Sequence, residues 1–171
     1  MFKSDRILAL DIGASRIVLA EFTAGKGGAP ELTNYGIGQL GIDPESDTDS
    51  TAFIVSAIEE VMREHGIKPG PLLLSMSGQA VFPRYVKLPP VSGDKIRQMI
   101  HYEAEQNVPF PIDEVVWDFQ LVGGTEEGEL NVLLVAAKTD HVTRMTDCVL
   151  GADLEPEIVD VGPMALYNAV R

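Results

Sequence analysis

The sequence predicts an α/β fold that carries a smaller α+β unit. Three observations predict it. Short apolar runs bounded by Gly and Pro turns recur along the chain. Between them lie stretches whose apolar residues repeat at helical spacing. From about Val81 to Val161 the order reads β-α-β-β-α-β, after a three-stranded meander, a helix and a strand.

Each element has its own signal. Residues 6–10, RILAL, form a short apolar strand that stops at Asp11-Ile12-Gly13. After the Gly13-Ala14-Ser15 turn the pattern resumes as IVLAEF, residues 17–22. GKGGAPE is a second turn, and LTNYGIGQL a third strand. An acidic linker, IDPESDTDS, leads to a helix from about Thr51 to His65, with Ile54, Ile58, Val61 and Met62 at helical spacing. Gly66 stands where a C-terminal cap belongs. Pro69–Pro71 break the chain before the strand LLLSM, residues 72–76.

VFPRYVKLP then reads as a strand running into Pro89-Pro90. Ser92 is placed to cap a helix with Ile96, Met99, Ile100 and Ala104 on one face, which Pro109 and Pro111 end. VVWDFQLV and NVLLVAAK are two strands joined by the turn GGTEEGE. Thr139 caps a further helix with Val142, Met145 and Val149 inward and Gly151 after it. EIVDV, residues 157–161, is the last strand, and Pro163 suits the first turn of a final helix, MALYNAVR.

A chain of 171 residues supports one or two compact units with a sizeable core. Thirteen basic against 26 acidic residues give a net charge of −13, with the Lys and Arg scattered. That charge argues against sequence-independent binding to nucleic acid or to an anionic membrane surface, since both need clustered cations. Cys148 is the one cysteine, so an intrachain disulfide is impossible and a reducing compartment fits. The stretch MFKSDRILALDIGAS has an apolar run interrupted at Asp11, which matches neither a signal peptide nor a membrane span. A cytoplasmic protein is the expectation.

LALDIGAS carries the first chemistry. A strand ending in Asp-X-Gly and turning back into another strand presents backbone N–H groups, and the glycine lets a phosphate approach closely. A carboxylate beside that loop holds a cation through water and offsets the phosphate charge. Ordinary hairpins use similar turns, so the motif alone does not decide. The second stretch is HYEAEQNVPFPIDEVVWDF, residues 101–119, where carboxylates crowd a helix end. Glu103 and Glu105 diverge by about 200° on a helix, so they cannot face each other across a cleft as an acid–base pair. A solvated or partner-facing rim suits them better. Phe110, between Pro109 and Pro111, is a rigidly presented apolar side chain.

His65, His101 and His141 lie on separate segments without metal-ligand spacing, and Cys148 reads as a small packing residue. Ser75-Met76-Ser77-Gly78 lacks the Gly-X-Ser-X-Gly of a nucleophile elbow, so Ser77 is not assigned as a nucleophile. Trp117 and Phe119 share a strand face, with core packing as their default role. No catalytic residue is assigned.

Two stretches together resemble a known family. ILALDIGASRIVLAEF is similar to the first phosphate loop of the actin/Hsp70/FtsA superfamily. VKLPPVSGDKIRQMIHYEAEQNVPFPIDEVVWDFQLV, with LLVAAKTDHV and EIVDVGPMALYNAV after it, resembles the type IV pilus assembly family PilM. The resemblance covers nearly the whole chain. It implies an RNase H-like, actin-type subdomain 1A (residues 1–80 and 158–171) interrupted by an FtsA/PilM-like β-α-β-β-α-β insert 1C (residues 81–157). It also implies a bacterial, cytoplasmic, ATP-binding scaffold recruited to the inner face of the inner membrane. Such a scaffold docks the N-terminal tail of a PilN-like inner-membrane partner and links it to other pilus platform proteins. It neither binds nucleic acid nor inserts into the membrane.

Carried over residue by residue, the phosphate loop is Asp11, Gly13, Ala14, Ser15 and Arg16, with Asp11 holding Mg²⁺ through water beside ATP. The tail would lie in a groove between the subdomains, its lining drawn from Phe82, Tyr85, Tyr102, Glu103, Val108, Phe110 and Phe119. Three departures stand out. A full PilM-like protein has a second lobe of comparable size with most of the adenosine pocket, so the expectation is a truncated first lobe. The family loop reads Asp-Ile-Gly-Ser-Ser-Ser-X-Lys; here Ala14 and Arg16 replace serines and Val18 replaces Lys, leaving Arg16 to supply the cation. The family's Asp-Val-Glu-Pro is Asp160-Val161-Gly162-Pro163, and the absent carboxylate leans against efficient hydrolysis. An actin-superfold ATPase, a sugar-kinase-like phosphotransferase, and an adaptor with a decayed nucleotide site stay open as alternatives.

Overall fold

The computed structural model describes residues 6–41, 50–91, 94–124 and 128–170. Among them the elements follow in the order β1 (Arg6–Ile12), β2 (Arg16–Ala24), β3 (Pro30–Gln39), α1 (Thr51–His65), β4 (Leu72–Met76), β5 (Val81–Leu88), α2 (Asp94–Asn107), β6 (Val115–Gly124), β7 (Leu130–Lys138), α3 (Thr139–Gly151), β8 (Pro156–Val161) and α4 (Gly162–Val170). Short 3₁₀ turns occupy Lys26–Gly28, Gly78–Ala80 and Ile112–Glu114. The expected cap at Ser92, most of the acidic linker and the middle of the β6–β7 turn lie outside the described residues.

The chain forms two compact units, one of residues up to Gly78 with those from Thr143 onward, the other Gln79–Val142. The first holds a five-stranded sheet in the order β3-β2-β1-β4-β8, antiparallel across β3-β2-β1 and parallel across β1-β4-β8. The second holds an antiparallel three-stranded sheet, β5-β7-β6. The β-α-β-β-α-β order read from the sequence is present, but its last strand pairs with β4 in the first sheet rather than within the insert. Parallel strands need a crossover connection. Helix α3 supplies the end of that crossover, and most of it groups with the first unit. The observed second unit, Gln79–Val142, is shorter than the expected insert, 81–157, because most of α3 groups with the first unit; the expectation already gives residues 158–171 to the first subdomain.

In the first sheet, Leu8 and Leu10 pair with Leu72 and Leu74 across β1 and β4, and Leu10 pairs with Leu19 on β2. All five are essentially inaccessible. Each such burial contributes about 1.5–3 kcal/mol. Helix α1 covers this face with Ile54, Ala57, Ile58 and Val61, as the helical spacing predicts. Gly66 ends the helix in the left-handed region at φ 66°, with its N–H donating to the Met62 carbonyl. The helix sits so close to β3 that a Cβ on Gly36 would lie 2.6 Å from Val61 Cγ1. Cys148 is fully buried on α3, in keeping with a packing role. The opposite sheet face therefore carries the alternate residues, among them Asp11 and Ser75.

The second unit is built on α2. Ile100, Ala104 and Val108 pack on Val132, Leu134 and Ala136, with Ile96 and Met99 at the margin. The Val108 N–H donates the last helical bond to the Ala104 carbonyl at 2.9 Å. Pro109 follows with no N–H to give, and the helix stops there.

Candidate functional site

The first candidate lies at the carboxyl ends of parallel strands, where open α/β sheets generally bind ligands. Asp11 and Ser75 are direct register partners on β1 and β4, and Ser75 and Asp160 on β4 and β8. Ser75 Oγ donates to Asp11 Oδ1 at 2.7 Å. Asp160 Oδ1 accepts the N–H of Val161, also at 2.7 Å. The β1–β2 turn is tight: the Gly13 N–H donates to the Arg16 carbonyl at 3.0 Å, and a Cβ on Gly13 would stand 3.0 Å from that oxygen. The Ser15 carbonyl accepts the Leu40 N–H at 2.9 Å, which ties the turn to the end of β3. Asp11, Ala14, Ser15 and Arg16 are all exposed.

This donor set suits a phosphate with a hard cation. Two carboxylates and a hydroxyl are oxygen ligands of the kind Mg²⁺ takes, largely through its own waters. Among the described residues no three of His, Cys, Asp and Glu are grouped to hold a metal ion by themselves. Gly162 leaves the space open: a Cβ there would lie 3.3 Å from Ser75 Oγ and 3.8 Å from Asp11 Oδ1. A glutamate at 162 would start directly beside this pair, and the glycine brings no carboxylate to it.

The second candidate lies wholly in the other unit. Phe82 on β5 and Phe110 after α2 meet edge to face, ring centroids 4.9 Å apart. Lys138 Nζ stands 4.2 Å above the Phe110 ring. Both rings are half-buried, and Tyr85 and Tyr102 are exposed. Glu103 accepts from Asn107 Nδ2 at 3.1 Å through its carboxylate, a local helix-end contact. Val108 is 6% exposed within the core, so it presents almost no surface to a partner. Phe119 packs against the same core with the Arg97 guanidinium 5.9 Å from its ring and 5.5 Å from that of Trp117. Of the seven residues expected at a docking surface, the structure thus joins Phe82 and Phe110 in one contact and places Val108 inside.

Residues 9–171 match the family model of the type IV pilus assembly protein PilM. The chain belongs to that family. A solved PilM–PilN type IV pilus biogenesis complex contains a chain 28% identical to this one, with a TM-score of 0.81 over 98% of this chain and 51% of that one. The cytoplasmic domain of EpsL, an inner-membrane component of the Vibrio cholerae type II secretion system, shares the fold at 12% identity, with a TM-score of 0.60 over 91% of this chain and 57% of that domain. The chain thus spans about half the length of these two relatives. The mixed α/β fold expected from the resemblance is the fold observed. Among the described residues no helix is long and apolar enough to cross a membrane.

Three residues at these sites, Ser75, Lys138 and Arg97, carry no sequence signal for their contacts. Ser75 was legible only as part of an incomplete nucleophile motif; its partnership with Asp11 comes from parallel register. Lys138 and Arg97 sit on aromatic rings brought to them by strand pairing and helix packing, and no sequence spacing marks either contact.

Proposed function

We propose that this chain is the partner-docking, phosphate-binding lobe of a cytoplasmic scaffold in a type IV pilus assembly platform, and that it takes the N-terminal tail of a PilN-like inner-membrane protein. The observation that carries this reading is the match at 28% identity, across 98% of this chain, to a protein solved as a PilM–PilN complex. The second unit offers the surface chemistry such a tail needs. Half-buried Phe82 and Phe110 provide an apolar seat, Lys138 caps it, and exposed Tyr102 offers an amphipathic side chain on the preceding helix. The acidic balance of the chain, −13, favours a tail carrying basic residues.

Within the same reading, the turn at Gly13–Arg16 takes the phosphates of ATP with Mg²⁺ held through water at Asp11. Gly162 brings no carboxylate beside Asp11 and Ser75, which favours nucleotide binding as a structural or switching device over rapid hydrolysis. Recruitment to the membrane then rests on the partner's tail.

Co-purification tests the docking claim. The chain is expressed with the PilN-like partner carrying its tail, and with the same partner lacking it. Retention by the first and loss with the second is the expected result. Equal retention by both would place the contact elsewhere.

A further inference from the structure

We propose that Ser75 is a positioning residue: its hydroxyl fixes the Asp11 carboxylate so that the second carboxylate oxygen, Oδ2, is the one offered to a hydrated divalent cation. This rests on the nucleotide-site reading above and assigns a role within that site to a residue outside the phosphate loop.

Three observations carry it. Asp11 and Ser75 are register partners on neighbouring parallel strands, so their side chains leave the sheet on the same face, one strand spacing of about 4.8 Å apart. The hydrogen bond between them is 2.7 Å long. An ionised carboxylate only accepts, so Ser75 is the donor, and charge-assisted bonds of this length are about twice as strong as neutral ones. Asp11 is exposed, and an exposed aspartate without such a donor samples several rotamers. The bond therefore selects one carboxylate orientation before any ligand arrives, and pre-organisation of this kind raises affinity by lowering the ordering cost of binding.

The neighbouring strand holds its own aspartate by a local backbone contact. Asp160, the register partner of Ser75 on its other side, has Oδ1 engaged by the Val161 N–H. Each aspartate thus gives one oxygen to a protein donor and keeps one for a water of the cation. Ser75 stands between the two carboxylates in register and separates their like charges. Gly162 keeps the approach open, because the nearest atoms to a Cβ there are Ser75 Oγ, the Met76 carbonyl and Asp11 Oδ1. The hydroxyl retains its lone pairs and accepts from a water of the same shell.

Amide spectra of the ¹⁵N-labelled 171-residue chain, recorded while Mn²⁺ and ADP are added together, test the proposal. The wild-type chain is expected to lose signals from residues 11–16 and 160–162 first, and Asp11→Asn to abolish that pattern. Ser75→Ala is expected to weaken the apparent affinity about tenfold, the equivalent of one charge-assisted hydrogen bond. Ser75→Thr, which keeps the hydroxyl, restores the affinity to within about threefold of wild type, a rescue that a purely structural role does not require. Should Ser75→Ala lose its spectral dispersion, Ser75→Cys supplies the same comparison with a weak donor of similar size. Wild-type affinity in Ser75→Ala, with the pattern still lost in Asp11→Asn, overturns the role of Ser75 and leaves the nucleotide site standing. Broadening that ignores Asp11 in every variant overturns the nucleotide-site reading itself.

Discussion

Ser75 Oγ and Asp11 Oδ1, 64 residues apart in sequence, lie 2.7 Å apart on adjacent parallel strands, and the Cα of Gly162 opens directly beside them. The relationship makes Gly162 a sensitive position. A Cβ at 162 would stand 3.3 Å from Ser75 Oγ, closer than ordinary van der Waals contact, so the hydroxyl must shift. Gly162→Ala is expected to change unfolding stability by less than about 1 kcal/mol, since it adds one methyl at a partly exposed helix start. It is expected to weaken Mn²⁺–ADP binding several-fold. Thermal unfolding and nucleotide titration of the same sample separate the two effects.

Gly36 is the opposite case, a glycine required by packing. A Cβ there would lie 2.6 Å from Val61 Cγ1 and 2.5 Å from His65 Cδ2, so both side chains, and with buried Val61 the packing of α1 on β3, would have to give. Gly36→Ala is expected to cost about 1–3 kcal/mol, read as a lower denaturant midpoint with an unchanged slope.

Leu134 and Tyr85 test the assignment of core and surface in the second unit. Leu134 is 0% exposed and Tyr85 is 81% exposed. Leu134→Ala is expected to destabilise by about 2–5 kcal/mol and Tyr85→Ala by less than about 0.5 kcal/mol. Chemical denaturation followed through Trp117, whose ring packs on that core, reports both.

Phe110 links stability and docking. Its edge-to-face contact with Phe82 and the Lys138 ammonium above its ring make it the centre of the aromatic group. Phe110→Ala is expected to cost the partner tail at least tenfold in affinity. Lys138→Met, which keeps the stem and removes the charge, is expected to cost less than about fivefold. Titration of both variants with one peptide checks the order of the two effects.

Much of this was legible in the sequence, and the physical reason differs from element to element. Gly66 announced the end of α1 because a left-handed cap favours glycine. The spacing of Ile96, Met99, Ile100 and Ala104 gave the buried face of α2, because helical period maps directly onto burial. Asp11-Ile12-Gly13 marked the turn between β1 and β2, since its signal is local. The partnership of Ser75 with Asp11 was not legible, nor was the pairing of β8 with β4. Parallel register joins residues far apart in sequence, and nothing in either strand names its neighbour. Val108 illustrates a different loss. The family resemblance placed it in the groove lining, yet the residue directly after α2 turns into the core.

Isothermal titration of the chain with a synthetic peptide of the PilN-like partner's N-terminal tail tests the central claim most directly. The docking account predicts saturable one-to-one binding with a Kd of about 10 μM or tighter, near −7 kcal/mol, weakened at least tenfold by Phe110→Ala. Absence of heat and of competition up to about 1 mM peptide, or binding untouched by Phe110→Ala, would contradict it.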